Sequence, residues 1–116
     1  WRSFLDAGVV IANGTDAPVE DVDPILSFYA SVTRKRVDNG FEFFPSQKMT
    51  REEAIYSYTL GNAYAAFQED YKGSIEVGKV ADFVIMDTNL LTCNEEEILD
   101  TEIMATIIDG VIYEIQ

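Results

Sequence analysis

The stretch GVVIANGTDAPV, residues 8–19, constrains the fold more than any other part of the chain. Val9, Val10, Ile11 and Ala12 form an unbroken apolar run, the pattern of a strand covered on both faces, as in a parallel sheet. The pattern predicts a strand over residues 8–15. Asn13, Gly14, Thr15 and Asp16 follow, and Ala17-Pro18 stops the pairing because proline has no N–H to give a ladder. A strand covered on both faces also needs neighbours on both edges. Up to residue 70 the chain supplies helical patterns instead, and the strands beyond Tyr71 alternate and pair as hairpins. The strand is therefore expected to lack its partners within this chain, and its end presents a lone carboxylate, Asp16.

The segments that follow read as helices with defined starts. Asp23 suits an N-cap and Pro24 the first helical position. Ile25, Phe28, Tyr29 and Val32 recur at helical spacing, which predicts a helix over residues 24–35. The basic triplet Arg34-Lys35-Arg36 suits the negative end of that helix's dipole. Arg34 is read as a cap, with a place on the active-site side as the alternative. In TREEAIYSYTLGNAYAAF, Thr50 and Glu53 have the spacing of a capping box. Ala54, Ile55, Tyr58, Asn62, Ala63 and Ala66 share a face, and Gly61 weakens the middle, so two short helical pieces joined by a bend are expected. Phe41, Phe43 and Phe44 are assigned to core or inter-helix packing rather than to a substrate pocket.

After Tyr71 the pattern changes. Gly73 and Gly78 mark turns, Ala81–Met86 reads as a strand, CNEEEILD holds a helical turn, and Asp109-Gly110 is a hairpin signal between the last two strands. As seen in this chain, the fold class is α+β.

Composition removes several chemistries. The chain has no histidine, which excludes Ser-His-Asp and Cys-His catalysis and any histidine-built zinc site made by these residues alone. The single cysteine, Cys93, cannot form an internal disulfide, which fits a reducing compartment, and a cytoplasmic location is expected. A net charge of −13 argues against nucleic acid and anionic membrane as partners, since binding phosphate needs cations. The acidic residues Glu20, Asp21 and Asp23 with Asp16 do not match the spacing of an EF-hand and are read as a solvated loop. GSIEVG matches neither glycine-rich phosphate-binding pattern and no helix follows it.

LDAGVVIANGTDAPV, ASVTR, MTREEAIYSYTLGNAYAAFQEDYKGSIEVGKVADFVIMD and TIIDGVIY together resemble the C-terminal end of metal-dependent amidohydrolases, in the YtcJ-like branch that includes N-substituted formamide deformylases. The resemblance implies a (β/α)8 TIM barrel with an appended small β-sandwich. Residues 1–70 would supply the last barrel strand, over residues 8–16, and the helices after it. Residues 71–116 would supply C-terminal strands of the sandwich. A complete barrel needs about 250 residues, so the chain, which starts at Trp1 without a methionine, would be a piece of a longer protein.

In such barrels the chemistry sits where strands end, and Asp16 matches the family's aspartate at the end of the eighth strand. Many relatives look like G-S-D-A-P-V there, so Thr15 is a mild departure. The resemblance implies that Asp16 lies beside a divalent metal, usually zinc, as metal neighbour and general acid/base. The substrate would be a small amide-like molecule whose C–N bond is hydrolysed. Lys79 and Asp82, in GKVAD, would serve a turn and a sandwich contact. The chain alone is then expected to hold no metal tightly, to be inactive, and to self-associate through unpartnered apolar faces and strand edges. The competing reading is a stand-alone, non-catalytic α+β interaction module.

Overall fold

Capping chemistry starts the two longest helices where the sequence puts them, in a computed structural model that describes residues 1–114. The first helix, α1 (Arg2–Asp6), is one short turn that the sequence pattern did not announce. Helix α2 (Pro24–Thr33) begins at Asp23, whose carboxylate accepts a hydrogen bond from the Ile25 N–H at 2.9 Å. It ends two residues earlier than expected. Arg34 turns into the left-handed region at φ 58°, its N–H still bonded to the Ala30 carbonyl, and Lys35 then pairs across an isolated bridge with Glu42. Helix α3 (Arg51–Tyr58) carries the full capping box: the Thr50 hydroxyl accepts from the Glu53 N–H and the Glu53 carboxylate accepts from the Thr50 N–H at 2.7 Å. The expected bend is present, but it falls at Thr59 (φ −120°, ψ −92°) and not at Gly61. Helix α4 (Leu60–Ala65) starts immediately after it.

Helices α2 and α3 share one core. Ile25, Phe28, Tyr29 and Val32 of α2 pack with Ala54 of α3, and with Met49, Leu90 and Ile98 from the connections. Ile98 is wholly buried in the 3-10 turn Glu96–Asp100, the helical turn expected in CNEEEILD. The aliphatic and aromatic side chains at this centre each contribute about 1.5–3 kcal/mol of burial.

Three antiparallel strands, β1 (Phe83–Met86), β2 (Ile103–Ile108) and β3 (Val111–Glu114), form a sheet in sequence order. Asp109 (φ 49°) and Gly110 (φ 77°) supply the two positive φ angles of the tight β2–β3 turn, as their sequence signal demands. Ile108 then stands opposite Val111, and Ile107 opposite Ile112. The last two residues of the predicted hairpin, 115 and 116, lie outside the described residues. The Asp82 carboxylate accepts from the Asp109 N–H at 2.8 Å, which ties the turn back to the start of β1. Lys79 reaches Ser74 at 2.6 Å within the preceding turn, so both residues of GKVAD hold turns. Met86 and Ile103 join the sheet to the helical core, whereas Val84, Ile85, Met104, Ile108, Val111, Ile112 and Tyr113 are exposed.

Two expectations are corrected. Residues 8–15 form no strand: Gly8 belongs to a turn at φ 79°, residues 9–15 take no regular secondary structure and have no ladder partner among the described residues, and Val9 and Val10 are 48% and 40% exposed. Helices flank the segment on one side, and among the described residues no strand edge is offered on the other, so there is nothing for a ladder to form against. Phe41, Phe43 and Phe44 are also exposed, not core, because the loop that carries them turns away from α2 through Arg34.

The chain as a whole leaves an unusual amount of surface open. Its accessible area is 7958 Å², about a quarter more than the ~6,300 Å² typical of a folded monomer of its mass. Its radius of gyration is 14.8 Å, against about 13.4 Å for a compact chain of this length.

Candidate functional site

The segment before Asp16 is held from one side by three helices. The Ile11 carbonyl passes so close to α4 that a Cβ on Gly61 would collide with it, and would also stand 3.1 Å from the Tyr56 carbonyl. Glycine is required there for close approach and not for backbone freedom. Asn13 is the main anchor. Its N–H donates to the Ser57 carbonyl of α3 at 3.0 Å, and its carbonyl accepts from the Asn62 side-chain amide of α4 at 2.9 Å. Its own side-chain NH₂ donates to the hydroxyl of Ser31 on α2 at 3.0 Å, and its side-chain oxygen accepts from the Gly14 N–H at 3.0 Å. All four hydrogen-bonding groups of Asn13 are therefore engaged.

The fixed backbone delivers Asp16 three residues further on. Asp16 adopts φ 59°, a left-handed conformation that aspartate tolerates better than most residues. Its main-chain carbonyl accepts from the Val19 N–H at 2.8 Å, closing the turn that contains Ala17-Pro18. The residue is exposed, and among the described residues nothing hydrogen-bonds to its carboxylate. Glu20, Asp21 and Asp23 follow on the same connection and border a shallow depression with Leu26, Ser27 and Ala30 of α2. On the other side of the segment, Leu5, Val9, Val10, Ile11 and Tyr56 line an open, mainly apolar groove of about 400 Å³.

Arg34 does more than cap its helix. Its guanidinium lies 4.2 Å from the centre of the Trp1 ring and 5.5 Å from that of Phe43, and its Nε donates to the Phe43 carbonyl at 2.9 Å. It fastens the 41–44 loop to the N-terminal residues and is not brought to Asp16. The shifted carboxylates are likewise structural. The Arg2 guanidinium beside Glu53 holds its carboxyl below the usual carboxylate range, and Lys35 does the same for Glu95. The Glu102 N–H, with Thr88, holds Asp87 down. Burial pushes the Tyr58 hydroxyl up; nearby Ser27 offsets this in part, but the hydroxyl lacks a hydrogen bond of sound geometry.

These residues do not make a metal centre among themselves. The chain has no histidine, and no three His, Cys, Asp or Glu residues gather closely enough to hold an ion among the described residues. One exposed carboxylate is a single donor, and a divalent cation in a protein takes four or more ligands. Sequence reasoning singled out Asp16 but missed the clamp behind it. Asn13, Ser31, Ser57 and Asn62 are small polar residues on helix and segment faces, and only their three-dimensional convergence distinguishes them from ordinary surface residues.

An α+β chain that ends an anchored, unpaired segment in an accessible aspartate matches one family over nearly its whole length: residues 1–113 fit the model described as "Amidohydrolase family". The chain belongs to that family. It is 33% identical over 117 residues to the YtcJ protein of Bacillus subtilis (strain 168), covering 98% of this chain and 22% of that protein. It is 32% identical over 111 residues to the N-substituted formamide deformylase of Arthrobacter pascens, covering 96% of this chain and 20% of that enzyme. In three dimensions it is similar to an amidohydrolase from Thermotoga maritima MSB8, with a TM-score of 0.73 at 24% identity, over 98% of this chain and 25% of that one. The likeness to that structure concerns the fold. The chain spans about a fifth of the length of the curated relatives it matches. No described helix is long and apolar enough to cross a membrane.

Proposed function

We propose that this chain is the C-terminal part of a metal-dependent hydrolase that cleaves C–N bonds of small amide-like molecules. Residues 1–70 contribute the last strand and the following helices of a (β/α)8 barrel, and residues 71–116 contribute strands of an appended β-sandwich. The observation that carries this reading is the anchored, unpaired segment 8–16, whose apolar run Val9–Ala12 has the composition of a barrel strand and which ends in an accessible Asp16. Family membership and the quarter excess of surface support it. Strands contributed from elsewhere would cover Val9 and Val10 and pair the edges of the segment.

In this reading Asp16 is the general acid/base. Its carboxylate accepts a proton from the attacking water and passes it to the leaving nitrogen, so that an amine departs and not its anion. Exposure at the end of the segment suits the role, because a group that exchanges protons with substrate must reach it. A divalent metal, zinc by family resemblance, would activate the water when bound. Its other donors would come from outside these residues, since the donors present here are too few. The name of the Arthrobacter pascens relative makes N-substituted formamides the first substrates to assay.

The test is Asp16→Asn in the full-length protein that carries this chain, assayed on a panel of N-substituted formamides and related amides. Loss of about 10²–10⁴-fold in kcat with metal still bound is expected for removal of a general acid/base. Hydrolysis at near wild-type rate would show that Asp16 does not hold the role. No hydrolysis of any amide by the unaltered protein would count against the reaction class itself.

A further inference from the structure

We infer that Asn62 is a positioning residue for Asp16, acting through Asn13; the inference rests on the catalytic reading of Asp16 above. The geometry behind it does not depend on the family. Asn62 Nδ2 donates to the Asn13 carbonyl at 2.9 Å and to the Tyr58 carbonyl, one turn back in its own helical pair, at 3.2 Å. The two contacts bridge the Thr59 bend and the segment, so a single side chain fixes where α4 meets the backbone that leads to Asp16. Ser31 seconds the grip from α2: it is 1% exposed, its hydroxyl donates to the Ser27 carbonyl at 2.8 Å, and it accepts from the Asn13 side chain. Gly61, next to Asn62, gives the segment room to lie that close.

The need for such a grip follows from where a ladder stops. A barrel strand is ordinarily located by hydrogen bonds to its neighbours, which set its position along the strand axis. They do little to set the last residues beyond the ladder, and Asp16 lies three residues past the final helix-bound peptide. The Asn13 peptide is held from both ends, its N–H by Ser57 and its carbonyl by Asn62. Loss of the Asn62 contact frees the carbonyl end, from which Gly14, Thr15 and Asp16 continue. A displacement of about 1 Å at a reacting group costs on the order of 10²-fold in rate.

The test is a double-mutant cycle in the full-length protein, on the amide it hydrolyses fastest, with Asn62→Ala, Asp16→Asn and the pair. Asn62→Ala is expected to lower kcat about 10–100-fold with little change in KM, and to add nothing further in the Asp16→Asn background. Amide hydrogen exchange should quicken at residues 13–16 in Asn62→Ala and stay unchanged in β1–β3. Additive losses, an unchanged kcat, or a fall confined to KM and stability would overturn the positioning role while leaving Asp16 in place. An Asp16→Asn variant with wild-type rate would instead remove the catalytic reading, and the positioning role with it. If Asn62→Ala does not fold, Ser31→Ala decides by the same criteria, with a smaller fall in kcat expected and the same absence of effect once Asp16 is gone.

Discussion

Gly61→Ala tests whether residues 8–16 are seated against α4 as described. In an unencumbered helix this substitution stabilises by about 0.8–1 kcal/mol, because alanine loses less backbone entropy than glycine. Here the added Cβ collides with the Ile11 carbonyl oxygen and crowds the Tyr56 carbonyl at 3.1 Å. Both atoms are backbone, so neither yields by a rotamer change. Overpacking of this kind costs about 1–3 kcal/mol. Where the segment can move aside, Asn13 loses part of its anchorage, and hydrogen bonds worth about 0.5–1.5 kcal/mol each weaken. The opposing terms leave a net destabilisation of about 1–2 kcal/mol, or roughly 4–8 °C in Tm for a chain of this size. The single tryptophan, Trp1, supplies the fluorescence signal for thermal or urea unfolding. Gly14→Ala is the control: a Cβ there meets nothing within 4 Å, and the change should be neutral or stabilising by up to about 1 kcal/mol. A higher Tm for Gly61→Ala than for the unaltered chain would refute the seating and remove the physical basis for the aim of Asp16.

Tyr58→Phe should leave stability unchanged or raise it by up to about 1 kcal/mol, because the hydroxyl is buried without a hydrogen bond; a loss of 1 kcal/mol or more in urea titration would show that it has a partner. Acid should weaken the fold through Glu53, Glu95 and Asp87, whose carboxyls are held below their usual range by Arg2, by Lys35 and by the Glu102 N–H respectively. Their contribution is complete above the unfolded carboxylate range, about pH 4–4.5, and is lost as pH falls through the lower folded values. Tm should therefore be flat near neutrality and fall below about pH 4.5, and Glu53→Gln should flatten the acid limb; an unaltered limb would place the proton uptake elsewhere. The isolated 116-residue chain should associate into dimers or larger species, since the exposed apolar residues on the sheet and on segment 8–12 have no cover; a clean monomer by light scattering, with cooperative unfolding, would contradict this.

Local chemistry was legible in the sequence. Asp23-Pro24, the Thr50/Glu53 box and Asp109-Gly110 each act within four residues, so their signals need no tertiary context, and each sits where the pattern put it. The misplacements at Val9–Ala12 and Gly61 involve partners distant in sequence. The run Val9–Ala12 has strand composition but no strand to pair with among the described residues, and a ladder is a property of two segments. Gly61 looked like a weak point in a helix, yet it answers the approach of Ile11, fifty residues earlier, and the break fell on Thr59 instead. The three phenylalanines at 41–44 carried the burial prior of their type, and the left-handed turn at Arg34 took them to the surface. Asp16 became a candidate only through family likeness. Its carboxylate is exposed, and the clamp at Asn13, three residues before it, combines four helix and segment residues that no linear pattern unites.

The most direct test of the central claim is a metal-loaded crystal structure of the full-length protein, with anomalous scattering locating the ion. Residues 8–16 are expected in the place of a barrel strand, ladder-paired along Val9–Ala12, with the Asp16 carboxylate beside the metal and the Asn13 contacts to Ser31, Ser57 and Asn62 intact. A segment still unpaired, with Asp16 facing solvent far from the ion, would contradict it.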